Sequence, residues 1–459
     1  MIDEDAIADG DSTLEDAAHA PGVLRLRRLK ELPPAARRRR GWLRLLLRTQ
    51  VLLGVLYAVA ICFERVVNIE ILKPYRLIGA ALVLLMMVRG RLRLDRLERL
   101  AIAFVLSGFL LALLQTMLAS ESLTRLFMIL GMWSFNLATF IALSSLLKDR
   151  REVVLIAIVH AVAMLIAAYG ISSSAMNVAD EMGITSRISG DFRNPANACV
   201  SMLFSCMVLL TVLRRRASMR GPLTRLFKVI AMFAIPLYYL YTSTLTGSRA
   251  GAGLLVVGLA VYCVSTSLRR MAIVLAFIAI VGGVAYAIAP QDMNLAERNI
   301  LALRVQKKGL DTDRLYLWRS GFDAYLDTYG VGLGMSRYQN VHRRYFAPYA
   351  LKSDPRWEDT DLTLHNDYVS ALVEFGAVGM VIFVFFCRCL LKMARGINDR
   401  DVRAIAIALL VGLAINGLSH TGLSYFAAWF YFALLSAWVR LERDPPAIAA
   451  RPVVPWQTR

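Results

Sequence analysis

Apolar runs of roughly 20 residues recur along this chain, the length a helix needs to cross a bilayer. They fall near 44–63, 71–88, 100–119, 126–147, 153–171, 197–213, 228–246, 250–267, 271–289, 365–391, 403–418 and 424–439. A soluble chain of 459 residues would divide into about three domains. Its surface would also need more charge than the 19% of Asp, Glu, Lys and Arg present here. With 57% hydrophobic residues, the chain reads as one membrane domain. The predicted fold is an all-α polytopic membrane protein with about 12 transmembrane helices.

The formal net charge is +19. Such an excess suits nucleic acid, anionic lipid or an anionic substrate. Here the bases concentrate in short connections: RGRLRLDRLER, KDRRE, RRRASMRGPLTRLFK, SLRR and CRCLLKMARGINDRDVR. That is the bias of cytoplasmic loops. With no RNA-binding motif or soluble basic domain, nucleic acid is not an expected partner. The bias predicts an inner-membrane protein with both termini in the cytoplasm.

The expected organisation is a cytoplasmic tail over 1–43, helices one to nine over 44–289, a periplasmic loop over 290–364, helices ten to twelve over 365–439 and a cytoplasmic tail over 440–459. The first tail starts acidic (MIDEDAIADGDSTLED) and turns basic at Arg25–Arg40. It has the composition of a disordered segment and not of a cleavable signal peptide. The six cysteines lie in or beside apolar runs, so no disulfide framework is expected. Cys387 and Cys389 form a lone CxC, better read as buried small hydrophobes than as a metal site.

Two outer connections are long, 172–196 and 290–364. A long loop between spans is usually functional or a small domain. Within the second, Asp311–Tyr329 has helical period, with Leu315, Trp318, Phe322 and Tyr325 on one face. Asp311 or Thr312 can cap its start and Gly330 can end it. The spacing predicts an amphipathic helix, either lying near the outer surface or packed on the loop's own small core. The following GVGLG is expected to form a tight, mobile turn.

Helices that run inward from the periplasm present their N-termini, with free N–H groups and partial positive charge, to that side. One opens after SRISGDFRNPAN, where Asn194 can cap and Pro195 suits the first turn, with Arg187 and Arg193 just outside. Another opens at TGSRAG. Its Arg249 opposes the helix dipole, a misfit that a bound anion would relieve. A third opens at LTLHND, with His365 and Asn366 in its first turn. If these mouths are neighbours, Arg187 or Arg193, Arg249 and His365 meet there, and the loop helix adds Arg314. Guanidinium forks match phosphate oxygens, so the set points to a di-anion such as a diphosphate. The alternative for each Arg is snorkelling to lipid headgroups.

His365 can serve as a general base or orient an acceptor hydroxyl, or it can be a polar helix-start residue. Glu374, about 13 Å further along the same helix, can line the pocket or lock helices together. Asn366, Trp318, His420 and Asn416 are further pocket candidates. Asp311-x-Asp313 and Asp359-x-Asp361 have the DxD form of some metal sites, but a helix cap and a flexible acidic stretch explain them better. Neither a Walker A sequence nor a strand-borne GxGxxG is present.

Three blocks, TGSRAG, DRLYLWRSGFDAYLDTYGVGLGMSRY and LHNDYVSALVEFGAVG, resemble the O-antigen ligase and Wzy-type polymerase superfamily in content and order. The resemblance spans about residues 185–390. It implies a GT-C type membrane glycosyltransferase. Such an enzyme moves a glycan from undecaprenyl diphosphate to an acceptor hydroxyl at the periplasmic face. The acceptor is lipid A–core in a ligase or a growing polysaccharide in a polymerase. It further implies that Arg249 and Arg314 hold the diphosphate, that His365 is essential, and that the reaction is inverting and uses no metal or cofactor. Arg187 and Arg193 fit that pattern only loosely. A transporter or flippase of lipid-linked saccharide is the rival class. It should line a mid-membrane cavity with charge or show inverted repeats, and neither is evident in the sequence.

Overall fold

The computed structural model describes residues 48–64, 73–90, 92–119, 123–181, 195–215, 221–246, 248–266, 313–350, 363–420, 422–423 and 425–444. Those residues form thirteen helices and no strands. In chain order they are α1 (Thr49–Cys62), α2 (Pro74–Val88), α3 (Arg96–Leu118), α4 (Leu123–Leu146), α5 (Arg150–Glu181), α6 (Pro195–Arg215), α7 (Pro222–Leu245) and α8 (Arg249–Thr266). They continue with α9 (Asp313–Asp327), α10 (Tyr338–Ala350), α11 (Asp367–Arg395), α12 (Arg400–Gly417) and α13 (Phe426–Arg443). The expected ninth span, 271–289, lies outside the described residues. By compactness the chain divides into Met1–Leu52 and Leu53–Arg459. In the first unit, the N–H groups of Val51 and Leu52 bond to the Arg48 carbonyl and open α1.

Among the described residues, six helices are long and apolar enough to cross a membrane: α3, α4 from Leu126, α5 to Ser173, α6, α7 and α11. Thr49–Cys62, Pro74–Val88 and Ala250–Thr266 are apolar but shorter. The protein is a helical membrane protein. Its outward residues are apolar, among them Leu84, Met87, Leu110, Leu114 and Leu226, all exposed. The core is built around α13, where Trp429, Phe430, Tyr431 and Phe432 are buried. Trp429 meets Trp133 of α4 edge-on at 6.2 Å, and Phe432 meets Phe386 of α11 at 5.5 Å. The Tyr431 hydroxyl finds its partner in Ser201 of α6 at 2.8 Å, as a buried phenol requires.

Several expectations change. Helix α5 runs to Glu181, ten residues past the expected end at 171, because no Gly or Pro interrupts ISSSAMNVADE. Cys387 is exposed rather than buried. The loop contains a second helix, α10, that its aromatic and charged sequence concealed. In α9 the inward residues are Leu317, Ser320, Gly321 and Ala324, all buried. Leu315 and Phe322, expected on the packed face, are exposed. Leu317 and Ala324 join Tyr338, Phe346 and Leu364 in a small core that is shared with Val369 and Val373 of α11 and so is not the loop's alone.

Helix α11 carries the decisive irregularity. Gly376 has φ 70° and ψ −174° and breaks the helix. The break leaves the carbonyls of Val373 and Glu374 and the N–H of Ala377 without helical partners. The segment Gly330–Gly334 supplies them. Leu333 N–H donates to Val373 O at 2.9 Å, Gly334 N–H donates to Glu374 O at 2.9 Å, and Ala377 N–H donates to Gly330 O at 3.2 Å. On its other side the same segment lies on α3, where Met335 N–H donates to Gly108 O at 3.2 Å. Arg337 there donates to Thr116 Oγ1 at 2.7 Å. A Cβ at Gly376 would lie 1.9 Å from Val331 O, and one at Gly334 would lie 2.4 Å from Ala112 Cα.

GVGLG is therefore a docked strap and not the expected mobile turn. Gly376 lies nine residues into α11, about 13 Å from its start at 1.5 Å per residue. Gly108 lies ten residues from the end of α3, about 15 Å. Both helices place the strap well below their ends, between two transmembrane elements.

Candidate functional site

The site assembles around one short connection, Asn416–Leu423, that joins α12 to α13. Four elements converge on it. From α11, Asn366 caps the helix by accepting the N–H groups of Tyr368 and Val369 at 2.9 and 3.0 Å. Its amide nitrogen then donates to Leu418 O at 3.1 Å. The next residue, Asp367, is buried. Its carboxylate accepts Gly422 N–H at 3.0 Å and Leu423 N–H at 3.1 Å. From α9, Arg314 Nη1 donates to Ser419 O at 2.8 Å. From α6, Asn197 Oδ1 accepts from Asn416 Nδ2 at 3.2 Å.

Helix α8 reaches the same level by its register. It runs antiparallel to α12, with Arg400 Nε donating to Ser265 O at 3.3 Å at one end. Further along, a Cβ on Gly412 would lie 3.9 Å from Leu254. Continued to the start of α8, this register brings Arg249 level with Asn416–Gly417. Ser248 caps the helix there, its Oγ accepting Gly251 N–H at 3.1 Å. Gly251 lies against Cys199 in the first turn of α6. The Arg249 side chain, Arg187 and Arg193 lie outside the described residues, as do Asp311, Asp359 and Asp361.

His365 stands just before the cap of α11, not in its first turn. It adopts φ 48°, a left-handed conformation that a histidine seldom takes. Residues held there against their preference cluster at working sites. Two neighbours fix the backbone on either side: Trp318 of α9 donates its indole N–H to Leu364 O at 3.1 Å, and Asn366 is tied to Leu418. The half-buried imidazole has Thr363 Oγ1 3.5 Å from Nδ1. Its ring lies 6.3 Å from that of His420. His420 Nδ1 is in turn 2.9 Å from Ser419 Oγ. Arg314 and Trp318, four residues apart on one helix face, thus hold the two segments that carry His420 and His365.

The structure separates one candidate from this group. Glu374 lies about 12 Å along α11 from Asn366. Its carboxylate accepts the N–H groups of Ser336 and Tyr338 at the start of α10. It fastens the strap and does not face the connection. The loop helices are further joined by phenols. Tyr338 and Ser320 share a hydroxyl–hydroxyl hydrogen bond at 2.5 Å, and Tyr349 donates to Asp323 at 2.7 Å. Burial pushes the Tyr338 phenol above its ordinary range, and the carboxylate of Asp323 does the same for Tyr349. Both hydroxyls stay protonated donors.

Sequence reasoning missed Asp367, Asn197, Ser248 and Ser419. Ser248 had a legible signal, a serine directly before an apolar helix. Asp367 and Asn197 had none, because each acts through a partner more than fifty residues away. A second cluster was also missed: Tyr425 donates to Glu64 at 3.3 Å, and Glu64 lies 4.0 Å from Lys73.

Residues 234–384 match the family model described as O-antigen ligase. That segment is similar to the O-antigen ligase family. The matched segment runs from the middle of α7 through α8, α9, α10 and the kink of α11. It therefore contains Arg249, Arg314, Trp318, the strap and His365, while the Asn416–Leu423 connection lies beyond it. The match supports a function of the O-antigen ligase or polymerase type. No curated protein matches the chain.

Proposed function

We propose that the protein is a periplasmic-facing glycosyltransferase. In this reading it transfers a glycan from undecaprenyl diphosphate to an acceptor hydroxyl at the Asn416–Leu423 end of the bundle. The observation that carries the proposal is the convergence of Arg314, the His365–Asn366 turn and the start of α8 on one connection, inside and beside a domain of this family. The basic connections, among them KDRRE and CRCLLKMARGINDRDVR, support an inner-membrane topology of about twelve spans with that end outward.

Arg249 and Arg314, with Arg187 or Arg193 from the preceding loop, hold the diphosphate. Charge grows on that leaving group as the glycosidic bond breaks, and fixed guanidinium groups stabilise it most in the transition state. His365 accepts the proton of the acceptor hydroxyl as oxygen attacks the anomeric carbon from the far side. His420 and Asn366 shape the same mouth. Helices α9 and α10 cover it and exclude water, which would otherwise hydrolyse the donor.

The test is transfer of labelled glycan from undecaprenyl diphosphate by the purified protein in proteoliposomes. His365→Ala should lose at least a hundred-fold in rate, the usual scale for a general base, while inserting normally. Normal turnover removes His365 from the mechanism. Movement of labelled lipid across the bilayer without transfer would replace the enzyme by a flippase. Lipid A–core and single repeat units, offered as competing acceptors, distinguish ligase from polymerase.

A further inference from the structure

At the end of α11 opposite Asn366, a cavity of about 530 Å³ lies between α3, α11 and α13. Arg388 is 21 residues beyond Asp367, about 32 Å along the helix, so a bilayer's thickness separates this cavity from the site above. Arg96, Arg388, Lys392, Arg440 and Arg443 line it, and Asp95 is the lining carboxylate. Four of these cations are exposed, which the charge bias of cytoplasmic ends accounts for.

Arg440 is not explained that way. It is 6% exposed, and both terminal nitrogens of its guanidinium are buried without a hydrogen-bond partner. The carboxylates whose fields reach it are Asp95, Glu98 and Asp444, with Arg93 opposing them. Glu98 spends one oxygen on Ser144 and Ser436, and neither of its oxygens bonds to the guanidinium. A buried guanidinium with unmet N–H groups is costly unless an anion reaches it. The remaining lining supplies the other charges such an anion needs, four further cations against one carboxylate.

We propose that this cavity binds a phosphate-bearing anion, with Arg440 at its floor and Arg388, Lys392, Arg96 and Arg443 at its rim. The anion is carried on a lipid of the adjoining leaflet or is free in solution. Guanidinium forks suit phosphate oxygens. Basic pockets between transmembrane helices are a recurrent setting for anionic headgroups. A lipid source has a path for its chains, because Phe385 lines the cavity and continues a stripe of exposed Val378, Val381 and Val384 on α11. The proposal depends neither on the orientation of the bundle nor on its activity.

The test uses the full-length protein in neutral detergent. Binding of inorganic diphosphate, short-chain phosphatidylglycerol and short-chain phosphatidylcholine is measured by titration calorimetry and by native mass spectrometry. The comparison variants are Arg440→Gln and the double variant Arg388→Gln with Lys392→Gln, the latter altering only exposed side chains. Saturable binding of phosphatidylglycerol, weakened ten-fold or more in the double variant, supports a lipid source. Saturable binding of diphosphate, with the same loss and no preference for the lipid, supports a free anion. No saturable binding of either anion, or affinity unchanged in the double variant, overturns the proposal. If Arg440→Gln does not fold, the double variant still decides the result.

Discussion

The Asn416–Leu423 connection and the cavity at the far end of the bundle handle polar groups in opposite ways. At the Asn416–Leu423 end, side chains are spent on main chain: Arg314 on Ser419, Asn366 on Leu418, Asp367 on Gly422 and Leu423, Trp318 on Leu364. Those bonds fix the course of the main chain there, the kind of placement the proposed electrostatic catalysis requires. At the far end, cations crowd a cavity and the most buried of them has no hydrogen-bond partner for its terminal nitrogens. The connection is organised by main-chain hydrogen bonds and the cavity by charge, although elsewhere at the far end Arg150 and Arg400 also donate to main-chain carbonyls. Rigid placement suits chemistry, and loosely held charge suits an anion that fits itself to the pocket.

The comparison breaks first at Gly376. Gly376→Ala puts a Cβ against Val331 O in a left-handed backbone. The strain alone is of order 1–3 kcal/mol, and displacing the strap adds to it. Thermal unfolding in detergent should fall sharply and transfer should be lost. An unchanged melting temperature would mean that the strap does not secure this end.

Arg249→Lys comes next. If a fixed fork is what the reacting end needs, a lysine ammonium should cost about ten-fold or more in transfer rate with stability intact. Equal rates would make Arg249 a headgroup anchor, and the two ends would then differ less than proposed.

Asn366→Ala has the smallest effect. It removes a helix cap, at a cost of about 1 kcal/mol, together with the tie to Leu418. Unfolding should shift by a few degrees, and transfer should fall because His365 loses a fixed neighbour. Measured rate and stability together separate the two contributions.

The sequence made the apolar helices legible because a membrane span is written as a long run of one residue class. It also marked Arg249, Arg314, Trp318 and His365 as candidates for one outer site. What it hid was tertiary. The face of α9 was misread because in this setting both sides of a helix carry apolar residues. Its packed side is chosen by small residues, Ser320, Gly321 and Ala324, that permit close approach. The kink at Gly376 reads locally as one more glycine in GAVG. Its meaning appears only when GVGLG, some forty residues earlier, is set against it. The Asn416–Leu423 connection looks like an ordinary turn until its partners from α6, α9 and α11 are in place.

A belt buckled at its middle leaves both tails adjustable. Because the loop is fastened at Gly330–Arg337, extra or missing residues before Asp313 or between Ala350 and Thr363 would not need to move the buckle or the helix it grips. Under the proposed function, changes of length in the stretches flanking it could alter the choice of saccharide without shifting the groups proposed to react.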